Sequence, residues 1–387
     1  MERRIEPSKQ HYEQWMEEEG IPVYESIVGV EDITELPRRP WARLGGLGTF
    51  IEIEGTKQAQ ALLYMAEIPP GGALEPEKHL YDELIYILRG RGLSEVWHEG
   101  QGKVSFEWGE GSLFATPLNA WHRLVNGGRE PVIFFAKTNA PIVMNAFHNT
   151  DFIFNCPYNF SDRFTGQSDY FVASEKRYKE GTRNVWETNF VTDVRTAFLD
   201  DLFEKVAGGQ LTQFRMAAWG GCHSSEWPVG VYHKAHCHGP GALLLGLKSE
   251  GYVLVWPRQY GMHPYQDGHG DKVAKMDWKP GSIYSPYGES GCNESFHQHF
   301  NTGPEAARHL AFRGASDASS RKLSDPNEQS AFMVGAFTSI REGGWVIEYE
   351  DEDPEIQRMF QEELRKKGVE SSMEPVVYRT DPFKFPF

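Results

Sequence analysis

The chain has 387 residues, enough for two ordinary domains with separate cores. Its formal net charge of −16, with no basic run to offset it, excludes nucleic acid as an expected partner. No apolar run of about 18 residues occurs, and MERRIEPSKQ at the start has no apolar stretch, so a soluble cytoplasmic protein without a membrane partner is expected.

Taken in chain order, the first signal is SKQHYEQWMEEEG at residues 8–20, whose apolar spacing predicts a helix. PRRPWARLGG follows, and residues 1–45 as a whole are expected to pack across a partner domain or subunit. Then come short alternating pieces bounded by Gly, Pro and Asn: FIEIEG, ALLYMAEI, LIYIL, SEVWHE and, later, VLVWP. With 39 glycines and 13% aromatic residues, this is the pattern of a β-rich chain with many tight turns. A second helix is predicted in DPEIQRMFQEELRKKG, with Asp353 as cap, Pro354 in the first turn and Gly368 as stop. The terminal DPFKFPF is expected to dock on a neighbour, making the protein a homo-oligomer. The cysteines Cys156, Cys222, Cys237 and Cys292 are too few and scattered for a disulfide framework and are expected to be reduced.

The strand segments repeat. An offset of 159 takes Gly71 to Gly230, Glu77 to His236, His79 to His238, Leu88 to Leu247, Gly92 to Gly251, Val96 to Val255 and Trp97 to Trp256. Beyond insertions the order continues, with Gly111 matching Gly281, His122 matching His297, Asn126 matching Asn301 and Gly128 matching Gly303. Ordered matches through strand-type segments indicate duplication of one β-domain. The expected division is residues 1–190 for an N-terminal domain with a helical arm (core 45–145), 191–330 for a C-terminal domain (core 210–315), and 331–387 for a tail with one helix.

In the first copy GGALEPEKHLYDELIYILRG reads G-x5-E-x-H-x3-E-x6-G, and GSLFATPLNAWHRLVN reads G-x5-P-x-N-x2-H-x3-N. These resemble the two cupin motifs, with Glu77 in a usual histidine place and Asn119 in a usual glycine place. The second copy carries Gly230, His236 and His238 as G-x5-HxH, with Ala242 in the usual glutamate place. Gly281, Pro286, Gly288, His297 and Asn301 form its second motif around an insertion. The resemblance implies an all-β bicupin: two double-stranded β-helix (jelly-roll) barrels in tandem with a few flanking helices. HCHGPGALLLGLKSEGY and FHQHFNTG are further similar to segments of gentisate-type ring-cleaving dioxygenases, which hold Fe(II) on three histidines. Two departures stand out: Leu244 replaces an arginine that meets the substrate carboxylate, and the three-histidine motif lies in the second cupin rather than the first.

Side-chain parity supports a metal site. Residues two apart in a strand share a face, so His236 and His238 can converge while Cys237 points away, and His297 supplies a third nitrogen from a distant strand. His299 shares the face of His297 and is read as a second-layer or acid–base group. His233 has the wrong parity for ligation. Three neutral imidazoles suit Fe(II), Mn, Ni, Cu or Zn, and of these the resemblance implies Fe(II) first. The first copy offers Glu77, His79, Glu83 and His122, a harder set favouring Mn or Fe, so one metal per cupin domain is open. Glu77 is also a candidate acid–base group. His98 and Glu95 read as surface. Arg313 or Arg258 could meet a substrate carboxylate, and Trp219 or Trp256 could wall an apolar pocket. The adjacent Cys222 and His223 point opposite ways in a strand and make a poor nucleophilic pair.

The expected function is a metal-dependent dioxygenase that uses O2 on a small aromatic or enolic oxygenated substrate. The alternatives are a non-oxidative metallo-cupin (decarboxylase, isomerase or lyase) and a non-catalytic binding bicupin.

Overall fold

The computed structural model describes residues 9–58, 61–180, 183–201, 209–217, 221–237, 242–286, 295–312, 338–381 and 383. Two β-barrels of the same plan fill most of it. The larger sheet of the first runs through Val23–Ser26, Gly46–Ile53, Leu62–Ile68, Val132–Thr138, Glu83–Arg89, Leu113–Thr116 and Phe190–Val191, with Arg39–Trp41 paired to Gly46–Ile53. Its smaller sheet is Trp121–Val125, Arg91–Trp97 and Val104–Gly109. In the second barrel the larger sheet centres on Cys222–Trp227, Ala307–Phe312, Leu243–Lys248 and Ile283–Tyr284. The smaller one orders Ala274–Trp278, Gly251–Pro257, Ser295–Asn301, Ala235–His236 and Val346–Ile347.

The period-2 alternation of these strands sorts their side chains between two cores. In the first barrel Leu62, Tyr64, Ala66, Ile85, Ile87, Phe134 and Ala136 point inward. Their neighbours Leu63, Met65, Leu84, Tyr86, Ile133 and Phe135 point outward, where they meet Leu243, Leu245, Leu310 and Phe312 of the second barrel in one continuous core. The barrels therefore stand back to back on their larger sheets. Both faces of those strands are buried, which is why apolar residues occupy both parities in stretches such as 62–66 and 132–136.

The arm at the N-terminus serves both barrels. Its helix His11–Glu19 packs with Trp15 and Met16 in the first core, and Gly29–Val30 pairs with Ile283–Tyr284 of the second. Two helices not foreseen from periodicity, Ala140–Phe147 and Thr150–Asn155, follow the last strand of the first barrel; they are too short for a clear 3.6-residue pattern.

The long helix Pro354–Lys367 forms where expected, capped by Asp353 and stopped by Gly368 in the left-handed region. Its face Ile356, Phe360 and Leu364 covers the outer side of the second barrel's smaller sheet, against Tyr252, Leu254, Trp256, Phe296 and Phe300. The described tail lies along its own chain: Ser372 N donates to the Gly230 carbonyl and Arg379 N to that of Glu350. Asp353 is fully buried and accepts three backbone N–H bonds, from Glu355 at 3.0 Å, Tyr265 at 2.8 Å and Gln266 at 2.9 Å. Asp353→Ala removes a cap and strands two loop donors, so a loss of about 2–4 kcal/mol is expected. Urea unfolding checks it, and a midpoint shift equivalent to less than about 0.5 kcal/mol would refute it.

Candidate metal centres

The two barrels place their candidate ligands at equivalent points. In the first, Glu77 lies opposite His122 in an isolated antiparallel bridge; in the second, His236 lies opposite His297 in the same relation. The equivalence extends through the walls. Ile85 faces Phe114 and Ala136, as Leu244 faces Tyr284 and Ala311. Leu124 faces Ser94, as His299 faces Val253.

In the first barrel, ligand atoms of Glu77, His79 and His122 lie within 4.8 Å of one another. Glu83, 2% exposed, completes the group: its Oε2 is 3.5 Å from His122 Nε2 and 3.8 Å from His79 Nε2. Both rings are aimed by the backbone. His79 Nδ1 is 2.7 Å from the Tyr81 carbonyl and His122 Nδ1 is 3.0 Å from that of Ala120. A carbonyl can only accept, so Nδ1 carries a proton and Nε2 is the atom turned to the cluster, as in many metal-binding histidines. Each Nε2 is buried and faces the Glu83 carboxylate. A cavity with room for about one water molecule adjoins Glu77, Glu83 and His122. An ion-sized space rimmed by lone pairs and carboxylates fits a divalent metal.

Several residues that brace this cluster were not foreseen. Arg43, from the arm, ion-pairs with Glu77 and, at 3.1 Å, with Glu19, and its guanidinium lies over Trp41 and Phe154. Tyr64 donates to Glu83 Oε1 at 2.5 Å, and Tyr81 stacks on His79 at 3.7 Å. Burial by itself would raise the Glu83 pKa, but the hydrogen-bonding imidazoles of His122 and His79 outweigh it and hold the carboxyl well below its usual range. Burial likewise opposes charge on His122, yet Glu83 outweighs it and the net shift is upward. An anionic Glu83 between two imidazoles is the arrangement a cation would enter.

In the second barrel His236, His297 and His299 bring ligand atoms within 4.8 Å of one another, all three rings buried. His238 lies outside the described residues. His236 Nδ1 is 2.8 Å from the Lys234 carbonyl, the same anchoring as in the first barrel. His299, expected behind the ligands, thus stands among them, its ring centre 5.4 Å from that of His297. His233 lies nearby, its ring centre 5.3 Å from that of His299. Around them the interior consists of Trp227, Trp278, Tyr284, Val253, Val255, Ala242, Leu244 and Ala311. A neutral nitrogen set in such walls fits a divalent transition metal.

Some sequence expectations need correction. His98 is not on the surface: it is buried, with Nε2 2.9 Å from the Phe164 carbonyl, because residues 157–171 cover that turn. Glu95 is half-buried and paired with Arg123 and Lys103. Trp256 faces the helix side and donates to the Gly261 carbonyl, so Trp227 and Trp278, not Trp256, wall the chamber. Arg258 stands in the short turn after Gly251–Pro257, whereas Trp219 and Arg313 lie outside the described residues. Cys237 is a buried filler, as is Cys222, whose thiol burial pushes up to about 12.

Behind the strand of His297 and His299, Glu352 is buried and accepts hydrogen bonds from Tyr232 Oη and, at 2.9 Å, Gln298 Nε2. Burial pushes its pKa up to about 8 from a usual 4.5. The folded state therefore holds this proton more tightly than the unfolded chain. The resulting stability is complete below about pH 4.5 and is lost as pH rises to 8, with a slope approaching about 1.4 kcal/mol per unit. Glu352→Gln should flatten the melting temperature between pH 5 and 8; parallel profiles for variant and wild type would exclude this role.

Residues 64–136 match the cupin domain family. No curated protein matches the chain significantly. Among solved structures, the coconut allergen cocosin is similar over 74% of this chain and 86% of its own, at 12% identity and TM-score 0.45. A Lactobacillus farciminis oxalate decarboxylase in complex with formate is similar over 75% and 87%, at 12% identity and TM-score 0.45. The recombinant pro-11S globulin of pumpkin is similar over 74% and 85%, at 11% identity and TM-score 0.44. No described helix is long and apolar enough to cross a membrane. The match to the cupin domain family thus falls on the first barrel, and the mostly β-sheet chain carries two barrels of the same plan in tandem with a few flanking helices.

Proposed function

We propose that this chain is a metal-dependent cupin enzyme acting on a small oxygenated substrate, with a divalent ion held in each barrel. The observation that carries the reading is the pair of buried clusters, Glu77/His79/His122 and His236/His297/His299, at the same place in two copies of one fold. Glu83 joins the first set, and His238, a ligand candidate from the sequence, lies outside the described residues. A bound divalent ion would supply Lewis acidity, polarising a substrate oxygen and favouring its anionic form.

The residues of the chain do the rest. Backbone carbonyls preset the rings of His79, His122 and His236, so little reorganisation is needed on binding. Arg43 steadies the Glu77 carboxylate, the one partly exposed member of its set, where it can take a proton from a substrate at the barrel mouth. Trp227, Trp278 and Tyr284 keep water from the second cluster. The combination favours non-oxidative proton-transfer chemistry: a decarboxylase, isomerase or lyase. A second reading, an O2-dependent dioxygenase on an aromatic or enolic substrate, is favoured by the all-nitrogen set of the second barrel and its aromatic walls.

The test is turnover by metal-loaded protein of a panel of short hydroxy and oxo acids, enols and phenols, with and without O2. Turnover in anaerobic buffer with CO2 or isomer formed supports the first reading. Turnover only with matching O2 uptake supports the second. Bound metal without any turnover on the panel would contradict an enzymatic role.

A further inference from the structure

Comparison of the two barrels singles out two residues behind the second cluster. At matched register the first barrel has Phe114, Leu124 and Phe134, all in its apolar interior. The second has Tyr284, His299 and His309 there. Three hydrocarbon side chains of one copy have become three hydrogen-bonding ones in the other, and the new groups touch. Tyr284 Oη is 2.9 Å from His299 Nδ1 and 3.2 Å from His309 Nδ1.

We infer that Tyr284 and His309 are positioning residues that fix His299 as an Nδ1–H tautomer, with its Nε2 lone pair turned toward His236 and His297. This rests on the reading of the second cluster as a metal site.

His309 is fully buried, and its ring meets Trp278 and Trp227 at 78° and 82° with centroids 4.4 and 4.9 Å away. An imidazolium in that apolar setting would be an uncompensated buried charge, so the ring is neutral and carries one proton. A metal ion held by His299 Nε2 leaves the proton of His299 on Nδ1, which donates to the Tyr284 oxygen. The Tyr284 hydroxyl then donates to His309 Nδ1, and the one proton of His309 sits on its other nitrogen. The series of donors thus runs from the ligand ring through one phenol to a buried imidazole. In the first barrel Leu124 needs no orienting, and Phe114 and Phe134 fill the same space without polar atoms.

The test uses the full chain carrying Glu83→Gln, which removes a ligand of the first barrel, and Co(II) as probe. Affinity is read by competition with a chelator and geometry by the visible d–d spectrum. Tyr284→Phe and His309→Phe install the residues that the first barrel already tolerates at these points, and circular dichroism reports folding. Each is expected to lower Co(II) affinity roughly 10–100-fold and to change the spectrum. His309→Gln, whose carbonyl can still accept from Tyr284, is expected to restore most of both. Unchanged affinity and spectrum in the two Phe variants would overturn the inference. So would equal losses in His309→Gln and His309→Phe, which would indicate packing alone. If a variant fails to fold, the remaining His309 pair decides. Failure of His236→Ala to lower Co(II) uptake would instead overturn the reading of the cluster itself.

Discussion

Protein carrying His297→Ala is expected to lose the metal of the second barrel while keeping that of the first. Glu83→Gln should do the reverse. His297 is fully buried, pairs in register with His236 and stands with it and His299 around one point. Removing it takes away one of the three nitrogens gathered there, so the affinity loss should exceed the roughly 10–100-fold cost of losing a second-layer partner. Glu83→Gln keeps volume but removes the anion that balances His79 and His122, and a neutral amide is a poor ligand for a hard divalent ion. Metal content after dialysis of each variant checks both halves. If neither variant changes it, both site assignments fail. If only His297→Ala does, the first barrel's cluster is an internal ion-pair network and nothing more.

The second large effect is on stability. Phe135→Ala should cost about 3–5 kcal/mol, the range for a fully buried phenylalanine. Phe135 and Phe312 meet across the seam with ring centroids 5.4 Å apart, both fully buried in the core the two barrels share. Neither sheet can close the gap alone, because the strands that carry the two rings are held by ladders on both sides. The loss should therefore appear in both barrels at once. Chemical denaturation followed by tryptophan fluorescence measures it, and a loss below about 1 kcal/mol would mean that the seam is not a common core.

Much of the plan was legible in the chain because it rests on short-range physics. Strand parity paired His236 with His238 and His297 with His299, and the ordered repeat matched Glu77 to His236 and His122 to His297. Helix caps at Asp353 and Gly368 fixed the last helix to the residue. The misses have a different cause. Arg43 reaches Glu77 because the arm folds back onto its own sheet, which no local pattern encodes. His98 sits among charged neighbours in sequence, but a distant segment covers it. Tyr284 and His309 are not among the residues that define the sequence motifs; only their places opposite Phe114 and Phe134 at matched register set them apart. Trp256 was avoidable, since Val255 faces His297 and its neighbour must face away. Cluster membership of His299 turned on side-chain reach as well as parity, which sequence spacing does not give.

The most direct measurement is anomalous scattering from crystals of metal-loaded protein, collected on both sides of the metal's absorption edge. The predicted result is one peak in each barrel: one bounded by Glu77, His79, Glu83 and His122, the other by His236, His297 and the Nε2 atom of His299. A fully loaded protein whose anomalous peaks fall outside both clusters would contradict the metal-dependent reading.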